Sequence, residues 1–214
     1  MKDIPIFTTD YGVASLIFKE IPYRQTAYVR VQDVQPGMLE ALLEECVGFC
    51  RMVGAEHIYA TGHGGLEAYP LYTALWEMRA DAWVDREKLE NLFPVTEATV
   101  SRWRSLMNER MRDVDNAATL TTQDEKRILE SGGAYFVHRS GELLGLGWLE
   151  QDTILAIASV KPGMGQHVAH TLMSVVEGAS LRLEVASTNE KAIRLYEKLG
   201  FLKTGEISRW YKIL

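Results

Sequence analysis

Three side chains that could carry acid–base chemistry lie close together in the sequence, around one predicted strand-to-helix junction. They are Glu184, Asn189 and Tyr196, in the segment LEVASTNEKAIRLYEKLGF at residues 183–201. A carboxylate can accept a proton and a phenol can donate one, and proteins use both as general bases and acids. Asn189 and Tyr196 are seven residues apart, two helical turns, so we expect them on one side of the helix.

The same segment predicts the elements that position these groups. Leu183 and Val185 alternate with Glu184, a strand pattern that directs Glu184 to the opposite face. Residues 187–189 (Ser-Thr-Asn) are all N-cap types, and Gly200 is suited to end a helix. Apolar residues follow at helical spacing between these signals: Ala192, Ile193, Leu195, Tyr196 and Leu199. The pattern therefore predicts a strand, a turn and an amphipathic helix.

The string N-x-x-A-x-x-L-Y-x-x-x-G-F, which runs from Asn189 to Phe201, resembles the C-terminal motif of the GNAT superfamily, the acetyl-CoA-dependent N-acetyltransferases. With the preceding L-E-V it most resembles the branch that acetylates protein N-terminal amines. The resemblance implies an α/β (α+β) fold with a mixed central sheet flanked by helices. It also implies acetyl-CoA as co-substrate and no metal. The alternative is a generic strand–helix unit whose tyrosine only packs.

Composition limits the class of protein and its partners. The chain has 214 residues, 47% hydrophobic residues and a formal net charge of −6. This charge argues against nucleic acid or an anionic membrane as the main partner, and no apolar run is long enough to span a membrane. Cys46 and Cys50 are one helical turn apart, poor geometry for a disulfide, and the N-terminus lacks a signal-peptide core. We expect a cytoplasmic monomer or homodimer that binds acetyl-CoA and an unidentified amine.

The second half of the chain predicts a complete GNAT domain at residues 86–214. From about residue 92 the patterns give the order β, α, α, β, β, β, α, β, α, β. A capping box at Thr122 and Glu125 begins the second helix. Tight turns at 140–141 and 151–152 join three strands, a helix follows at 165–176 with Gly178 at its end, and the tail from Gly205 is a last strand.

The first half predicts a partial, degenerate copy at residues 1–85. VQPGM at residues 34–38 matches VKPGM at 160–164 at an offset of 126. By this match we expect strands within 14–31, helices at 38–53 and 67–79, a strand at 58–61 and a linker near 81–90. Chance similarity between two apolar helix–strand units is the alternative. Gly65 stands where the second copy has Asn189, so the first copy is a poor candidate for catalysis, and His63 is expected to be solvent-exposed.

A glycine-rich turn, GMGQHVA at residues 163–169, is suited to a pyrophosphate because helix N-termini offer free N–H groups. It departs from the family pattern, since Met164 replaces an arginine or glutamine and His167 replaces a glycine. A plain connection with no bound anion is the alternative. The resemblance further implies a V-shaped gap, where strand 157–160 splays from strand 181–186, that holds the pantetheine arm. The residues it assigns to acetyl-CoA are Ala158, Ser159, Val160, Met164, Gly165, Gln166, His167, Val168, Ala169, Asn189 and Tyr196.

The resemblance also assigns the catalytic roles. Glu184 is the expected base, with its pKa raised by partial burial, and Tyr196 is the expected acid that protonates the CoA sulfur. A backbone N–H near Val160 is expected to hold the thioester oxygen. Glu184 paired with Arg182 or Lys191 is the structural alternative. The acceptor is expected between residues 101–116 and 205–211. A catalytically weak CoA-binding or interaction module is the competing function.

Overall fold

The computed structural model describes residues 4–81, 90–176 and 180–214. Within these residues the strands are β1 Ile6–Thr8, β2 Gly12–Ile17, β3 Thr26–Val34, β4 His57–Thr61, β5 Leu71–Asp81, β6 Asn91–Pro94, β7 Ala134–Arg139, β8 Glu142–Glu150, β9 Thr153–Ser159, β10 Ser180–Ala186 and β11 Leu202–Lys212. The helices are α1 Ile21–Arg24, α2 Leu39–Met52, α3 Val100–Met111, α4 Thr122–Ser131, α5 Gly165–Met173 and α6 Glu190–Lys198, and a 3₁₀ turn covers Gly64–Ala68.

The order of elements from β6 to β11 is the predicted one. Two details differ. The capping box before α4 lies one residue earlier than predicted, because Thr121 is the N-cap and its backbone N–H donates to Asp124 Oδ2 at 2.6 Å. Helix α5 ends at Met173 rather than at residue 176. The predicted stop at Gly178 and most of the predicted linker at 81–90 lie outside the described residues.

The predicted helix at residues 67–79 is wrong. The 3₁₀ turn ends at Ala68, and strand β5 begins at Leu71. Pro70 explains the difference, because proline inside a helix removes a backbone hydrogen bond and clashes with the preceding turn. Buried Met78 and Ala80 alternate with exposed neighbours, which is the period of a strand. The proposed match between this segment and helix α6 therefore fails at the level of secondary structure.

The chain divides into two compact units, at a place different from the predicted boundary. Unit 1 comprises the chain up to Leu75 together with Glu206–Leu214, and unit 2 comprises Trp76–Gly205. The C-terminal end of β11 returns to unit 1, where Tyr211 is antiparallel to Ala60 of β4. Strands in unit 1 follow the order β1-β2-β3-β4-β11. Helix α2 covers one face of this sheet and buries Leu42, Leu43, Cys46 and Cys50 against it.

In unit 2 the strand order is β10-β9-β8-β7-β6. Helices α5 and α6 bury one face of this sheet, with Val168, Leu172 and Ile193 in their core. Helices α3 and α4 cover the other face, with Trp103 and Ile128 packed on Leu146 and Trp148. The residues of the predicted site lie on or next to β9, α5, β10 and α6, which all belong to unit 2.

Two glycines of β8 bring α5 close to the sheet. A Cβ added at Gly147 would lie 2.1 Å from Leu172 Cδ1, and one added at Gly145 would lie 2.6 Å from Val168 Cγ2. These separations are well below van der Waals contact, so only glycine permits this packing. The position of α5, and hence of its N-terminal turn, depends on the bare backbone of β8.

The two cysteines are free thiols in the core of unit 1. Burial raises the pKa of Cys46 to about 12 and that of Cys50 to about 11. Both are therefore thiols rather than thiolates at neutral pH, as expected of packing residues. None of the described helices has both the length and the apolar character needed to cross a membrane.

Candidate functional site

A gap opens between the parallel strands β9 and β10. Their pairing among the described residues comprises Arg182 with Thr153 and Leu183 with Ile154, and it stops there although both strands continue. Strand β9 stays paired with β8 to Ser159, but Leu155 has no partner, because Trp148 pairs with Ala156 and Leu149 with Ile154. An unpaired extra residue of this kind is a β-bulge, which bends a strand and increases its twist. The bulge thus lies where β9 leaves β10, and the predicted splay is present.

The backbone groups that face this gap are those of alternate residues. Val160 N–H donates to Leu144 O at 2.8 Å, so the amide of this residue is used within the sheet. The role of a backbone N–H near Val160 toward the thioester oxygen stays a prediction. Ser159 and Gly145 form the adjacent pair in the register with β8. Since successive residues of a strand point their N–H groups to opposite edges, the amides of Ser159 and Ile157 face the gap. They replace Val160 and Ala158 as the candidate partners of a pantetheine arm.

The first turn of α5 presents unused N–H groups. Gly163 has a φ of 80°, and Met164 is the N-cap without a capping side chain. No described acceptor takes the N–H of Gly165, Gln166 or His167. Three such donors at a helix N-terminus, with the positive end of the helix dipole, attract anions.

Two residues assigned to this anion site are placed elsewhere. Val168 N–H donates to Met164 O at 3.0 Å, and the side chains of Val168 and Ala169 are fully buried in the core beneath α5. These two side chains and the Val168 amide are engaged within the protein, because the helix has by then begun to satisfy its own N–H groups. The contact of both residues with the cofactor stays a prediction.

An ion pair between a buried glutamate and a half-exposed arginine, which the sequence did not reveal, lies beside this turn. The Glu90 carboxylate, whose side chain is 2% exposed, accepts two hydrogen bonds from the Arg139 guanidinium. These bonds hold the pKa of Glu90 below its usual range, although burial opposes them. His167 Nδ1 lies 3.6 Å from Glu90 Oε1. The ring of His167 thus leans toward Glu90, on the side of α5 that faces β6 and β7. Glu90 fell within the predicted linker, so composition gave no signal for it.

Asn189 caps helix α6. Its Oδ1 accepts from Ala192 N–H at 3.2 Å, as the N-cap interpretation predicts. The side-chain Nδ2 has no partner among the described residues, so it remains available as a donor. Asn189 can therefore serve the helix and a ligand at once.

Tyr196 lies on the face of α6 that contacts the core of unit 2. Its ring centroid is 5.8 Å from that of Phe201. Burial raises the pKa of Tyr196 to about 12, so the phenol stays protonated throughout the physiological range. No described protein group hydrogen-bonds its hydroxyl. A protonated phenol without a partner is suited to donate a proton and unsuited to accept one.

Glu184 lies on the opposite face of the sheet from Tyr196, because its neighbours Leu183 and Val185 are buried in the core under α5 and α6. It immediately follows the last paired residue, at the point where the gap opens. Glu184 is exposed, in contrast to the partial burial expected for it. It has no ion-pair partner among the described residues, and Arg182 pairs instead with Asp152 at 3.3 Å.

A pocket of about 670 Å³ lies beside Glu184 on this face. It is bounded by α4, the β8–β9 turn and the first residues of β9 and β10. Its lining residues are Glu77, Arg127, Glu130, Ser131, Glu150, Gln151, Thr153, Leu155, Arg182, Leu183 and Glu184. Most of them could not be predicted from the sequence, since they come from five separate elements, β5, α4, β8, β9 and β10.

Three side chains within residues 101–116, one of the two ranges expected at the acceptor, have structural roles. Trp103 is fully buried and its Nε1–H donates to Tyr135 O at 2.9 Å. Arg104 pairs with Glu125 at 2.8 Å, and Asn108 exchanges two hydrogen bonds with the backbone of Leu120. Helix α3 therefore packs against the sheet and against α4, and residues of α4 line the pocket.

The described residues of unit 1 contain no corresponding gap. Strands β3 and β4 stay paired over all of β4, from Thr26–His57 to Arg30–Thr61. The bulge in β3 lies at Gln32, beyond the end of this pairing. His63 is exposed, as expected, and caps the 3₁₀ turn, since its Nδ1 accepts from Gly65 N–H at 3.0 Å. Within the described ranges, no three His, Cys, Asp or Glu side chains in either unit could hold a metal ion.

Solved structures of acetyltransferases share this architecture. A GCN5-related N-acetyltransferase from Sphaerobacter thermophilus is 13% identical, with a TM-score of 0.58 over 94% of this chain and 75% of that one. A putative acetyltransferase from Pyrococcus horikoshii is 10% identical, with a TM-score of 0.60 over 95% of this chain and 69% of that one.

The chain has a GNAT fold. A functionally unknown conserved protein from Staphylococcus epidermidis has it too, at 10% identity and a TM-score of 0.60, over 98% of this chain and 93% of that one. No protein-family model matches the sequence, and no curated protein matches it. At identities this low the likeness establishes the fold, and function has to be argued from the site.

Proposed function

We propose that this protein is an acetyl-CoA-dependent N-acetyltransferase that acts on a primary amine of a small molecule or protein, with its active site in unit 2. The observation that carries this proposal is the gap that opens between β9 and β10 at the Leu155 bulge, directly before the unused N–H groups of α5. A generic strand–helix–strand unit requires neither feature. Together they suit an extended chain that ends in a pyrophosphate.

The residues of this gap fit the parts of acetyl-CoA. The Ser159 and Ile157 amides suit an amide-containing arm, and the Asn189 Nδ2 group offers a donor at the start of α6. The N–H groups of Gly165, Gln166 and His167 suit a pyrophosphate. Bound acetyl-CoA would supply an acetyl group activated as a thioester.

Glu184 and Tyr196 divide the proton transfers. Glu184, exposed on the pocket side, would take a proton from the ammonium of the acceptor and leave the nitrogen lone pair free to attack. Tyr196, on the other face, would donate its hydroxyl proton to the departing sulfur as the carbon–sulfur bond breaks. At a pKa of about 12 the phenol carries its proton at neutral pH, so Tyr196 can act as the donor and not as the base, and the nitrogen of the tetrahedral adduct would return a proton to it, directly or through water.

We also propose that unit 1 is a degenerate half-copy without catalytic function. Gly37 before α2 and Gly163 before α5 have φ values of 78° and 80°, and Met38 and Met164 are the corresponding N-caps. In both units a bulged strand, a helix and a parallel strand follow in the same order. The complete pairing of β3 with β4 leaves unit 1 no room for a pantetheine arm.

The test is turnover of acetyl-CoA with a panel of primary amines, followed by release of free CoA thiol, beside calorimetric binding of CoA. We expect turnover that falls at least 100-fold in Glu184→Gln while CoA affinity is kept. Glu197→Gln on the exposed side of α6 is the matched control and should keep full activity. CoA binding without turnover on any amine would favour the alternative, a catalytically weak CoA-binding module. Failure to bind CoA would refute both.

A further inference from the structure

The pocket beside Glu184 has a charge arrangement that restricts which amine it accepts. This inference rests on the proposed function, since it concerns the acceptor of the same site. The lining contains four glutamates and two arginines, a formal balance of −2. The volume of about 670 Å³ is that of a typical small-molecule site. An anionic group of a substrate would need one of these arginines as its partner, so the contacts of both arginines decide whether the pocket accepts it.

Arg127 is fully engaged. Its Nε and Nη2 atoms donate to the two carboxylate oxygens of Glu150 at 3.0 and 2.8 Å, and its guanidinium lies 5.2 Å from the centroid of the Trp148 ring. The bidentate geometry and the aromatic contact favour one orientation of the guanidinium and pair its charge with Glu150, although the Arg127 side chain is 62% exposed. The Glu150 pair further raises the pKa of Arg127.

Arg182 is engaged as well. Its Nε donates to Thr153 Oγ1 at 2.8 Å and lies 3.3 Å from Asp152 Oδ1. Each pocket arginine is thus neutralised by an acid of the β8–β9 region. An acceptor that carries a carboxylate or phosphate would therefore meet only arginines whose positive charge is already paired with a carboxylate.

Two of the four carboxylates have firm partners, since Glu150 holds Arg127 and Glu77 lies 3.1 Å from Arg79 and accepts from Thr204, whereas the other two are less engaged. Glu184 has no ion-pair partner among the described residues. Glu130 pairs only with Lys126, at 3.6 Å, and the two side chains are 66% and 82% exposed. Such exposed pairs are weak and exchange readily. The field in the pocket is therefore negative, and it favours cations and disfavours anions.

We infer that the acceptor is a small cationic amine without a carboxylate or phosphate, of the diamine or polyamine class. One amine would meet Glu184 and a second positive charge would be stabilised by the remaining pocket carboxylates, Glu130 among them. An amino acid with the same carbon chain would bring its carboxylate against glutamates whose arginine partners are already committed.

Matched pairs of amines test this inference, because they differ only in the carboxylate. Cadaverine against lysine and agmatine against arginine should be compared by kcat/KM with acetyl-CoA, and by calorimetric binding to the protein without acetyl-CoA. We expect each decarboxylated amine to be favoured about tenfold or more in both measurements. Equal or better use and binding of the amino acids would overturn the inference.

Two variants address the mechanism of this preference. Glu150→Gln releases Arg127. The ratio of kcat/KM for cadaverine to kcat/KM for lysine should therefore fall about threefold or more, mainly because kcat/KM for lysine rises. Glu130→Gln should lower kcat/KM for cadaverine by a similar factor and leave lysine nearly unchanged. Glu197→Gln, the control, should leave the cadaverine-to-lysine ratio of kcat/KM unchanged. Unaltered ratios in both pocket variants would refute the proposed role of the pocket charges.

Failure of the proposed function has a different signature. If no amine is acetylated, the acetyltransferase proposal fails, and the binding comparison still decides whether the pocket prefers amines without carboxylates. If amino acids are acetylated as well as their decarboxylated partners, the acetyltransferase proposal stands and the inference about the acceptor fails. If neither amine of a pair binds or reacts, the inference is refuted.

Discussion

Replacing Gly147 with alanine tests how the sheet positions the cofactor end of the site. The added methyl would lie 2.1, 2.5 and 2.8 Å from Cδ1, Cδ2 and Cγ of Leu172. Ordinary contacts lie between 3.4 and 4 Å, so the shortfall exceeds 1 Å. Leu172 is fully buried and cannot swing toward solvent. Helix α5 must therefore move away from β8, or Leu172 must adopt a strained rotamer.

Overpacking of this kind costs about 1–3 kcal/mol, and the size of the overlap places this case near 3 kcal/mol. For a chain of this length each kcal/mol lowers the melting temperature by roughly 2–4 °C, so we expect a loss of roughly 6–12 °C by calorimetry. Because α5 carries the unused N–H groups at its start, its displacement should also weaken binding of acetyl-CoA.

A double-mutant cycle separates this clash from other effects. Leu172→Ala alone should cost about 2–5 kcal/mol through its cavity. In the double variant the new methyl has room, so the combined loss should fall short of the sum by about 1 kcal/mol or more. Gly205→Ala, with open space around its Cβ, is the control and should stay within about 0.5 kcal/mol of wild type. Additive losses, or a Gly147→Ala protein that melts like wild type, would show the reasoning to be incorrect.

Four further predictions follow from individual side chains. Tyr196→Phe removes a hydroxyl with no protein partner, so kcat should fall about 100-fold at an unchanged melting temperature, and an unchanged kcat would exclude its role as acid. Asn189→Ala should lower the free energy of unfolding by about 1 kcal/mol, whereas Asn189→Asp, which keeps the capping oxygen, should lower it almost not at all. Both variants should weaken CoA binding if Nδ2 contacts CoA. Equal stability of the two variants would contradict the role of Asn189 as the helix cap. The pKa of Glu90 is lower in the folded protein than in the unfolded chain, where it is near 4.5. The pair with Arg139 therefore stabilises the fold fully at pH values above 4.5. Glu90→Gln should therefore melt below wild type at pH 7, and the difference should shrink as the pH falls through the folded-state pKa; a pH-independent difference would contradict this linkage. Cys46 and Cys50 should resist a thiol reagent at pH 8 in the native state and react in urea, and rapid native labelling would contradict their burial.

Local patterns predicted much of unit 2. The alternation around Glu184, the turns at 140–141 and 151–152 and the cap at Asn189 are all present. Each is decided by the backbone conformation that a few adjacent residues prefer, and such preferences can be read without knowledge of the fold. Where a helix pattern was transferred by analogy, at residues 67–79, it was wrong, because Pro70 and the alternation after it favour a strand.

The composition of the site could not be read in the same way. The Leu155 bulge is visible only in the register between β8 and β9, since leucine carries no local signal for an unpaired residue. The Glu90–Arg139 pair joins residues 49 positions apart. The pocket proposed for the acceptor takes its charges from β5, α4, β8 and β10, whereas the sequence pattern pointed to residues 101–116 and 205–211.

The sequence by itself determined which groups are available for chemistry: a glutamate on a strand, an asparagine cap and a tyrosine two turns later. These follow from local propensity and period, which act over a few residues. Only the tertiary structure decided that β9 leaves β10 at Leu155, that Glu184 and Tyr196 lie on opposite faces, and that both pocket arginines are neutralised. Those outcomes depend on strand register and on contacts between distant elements, which are settled when the chain packs.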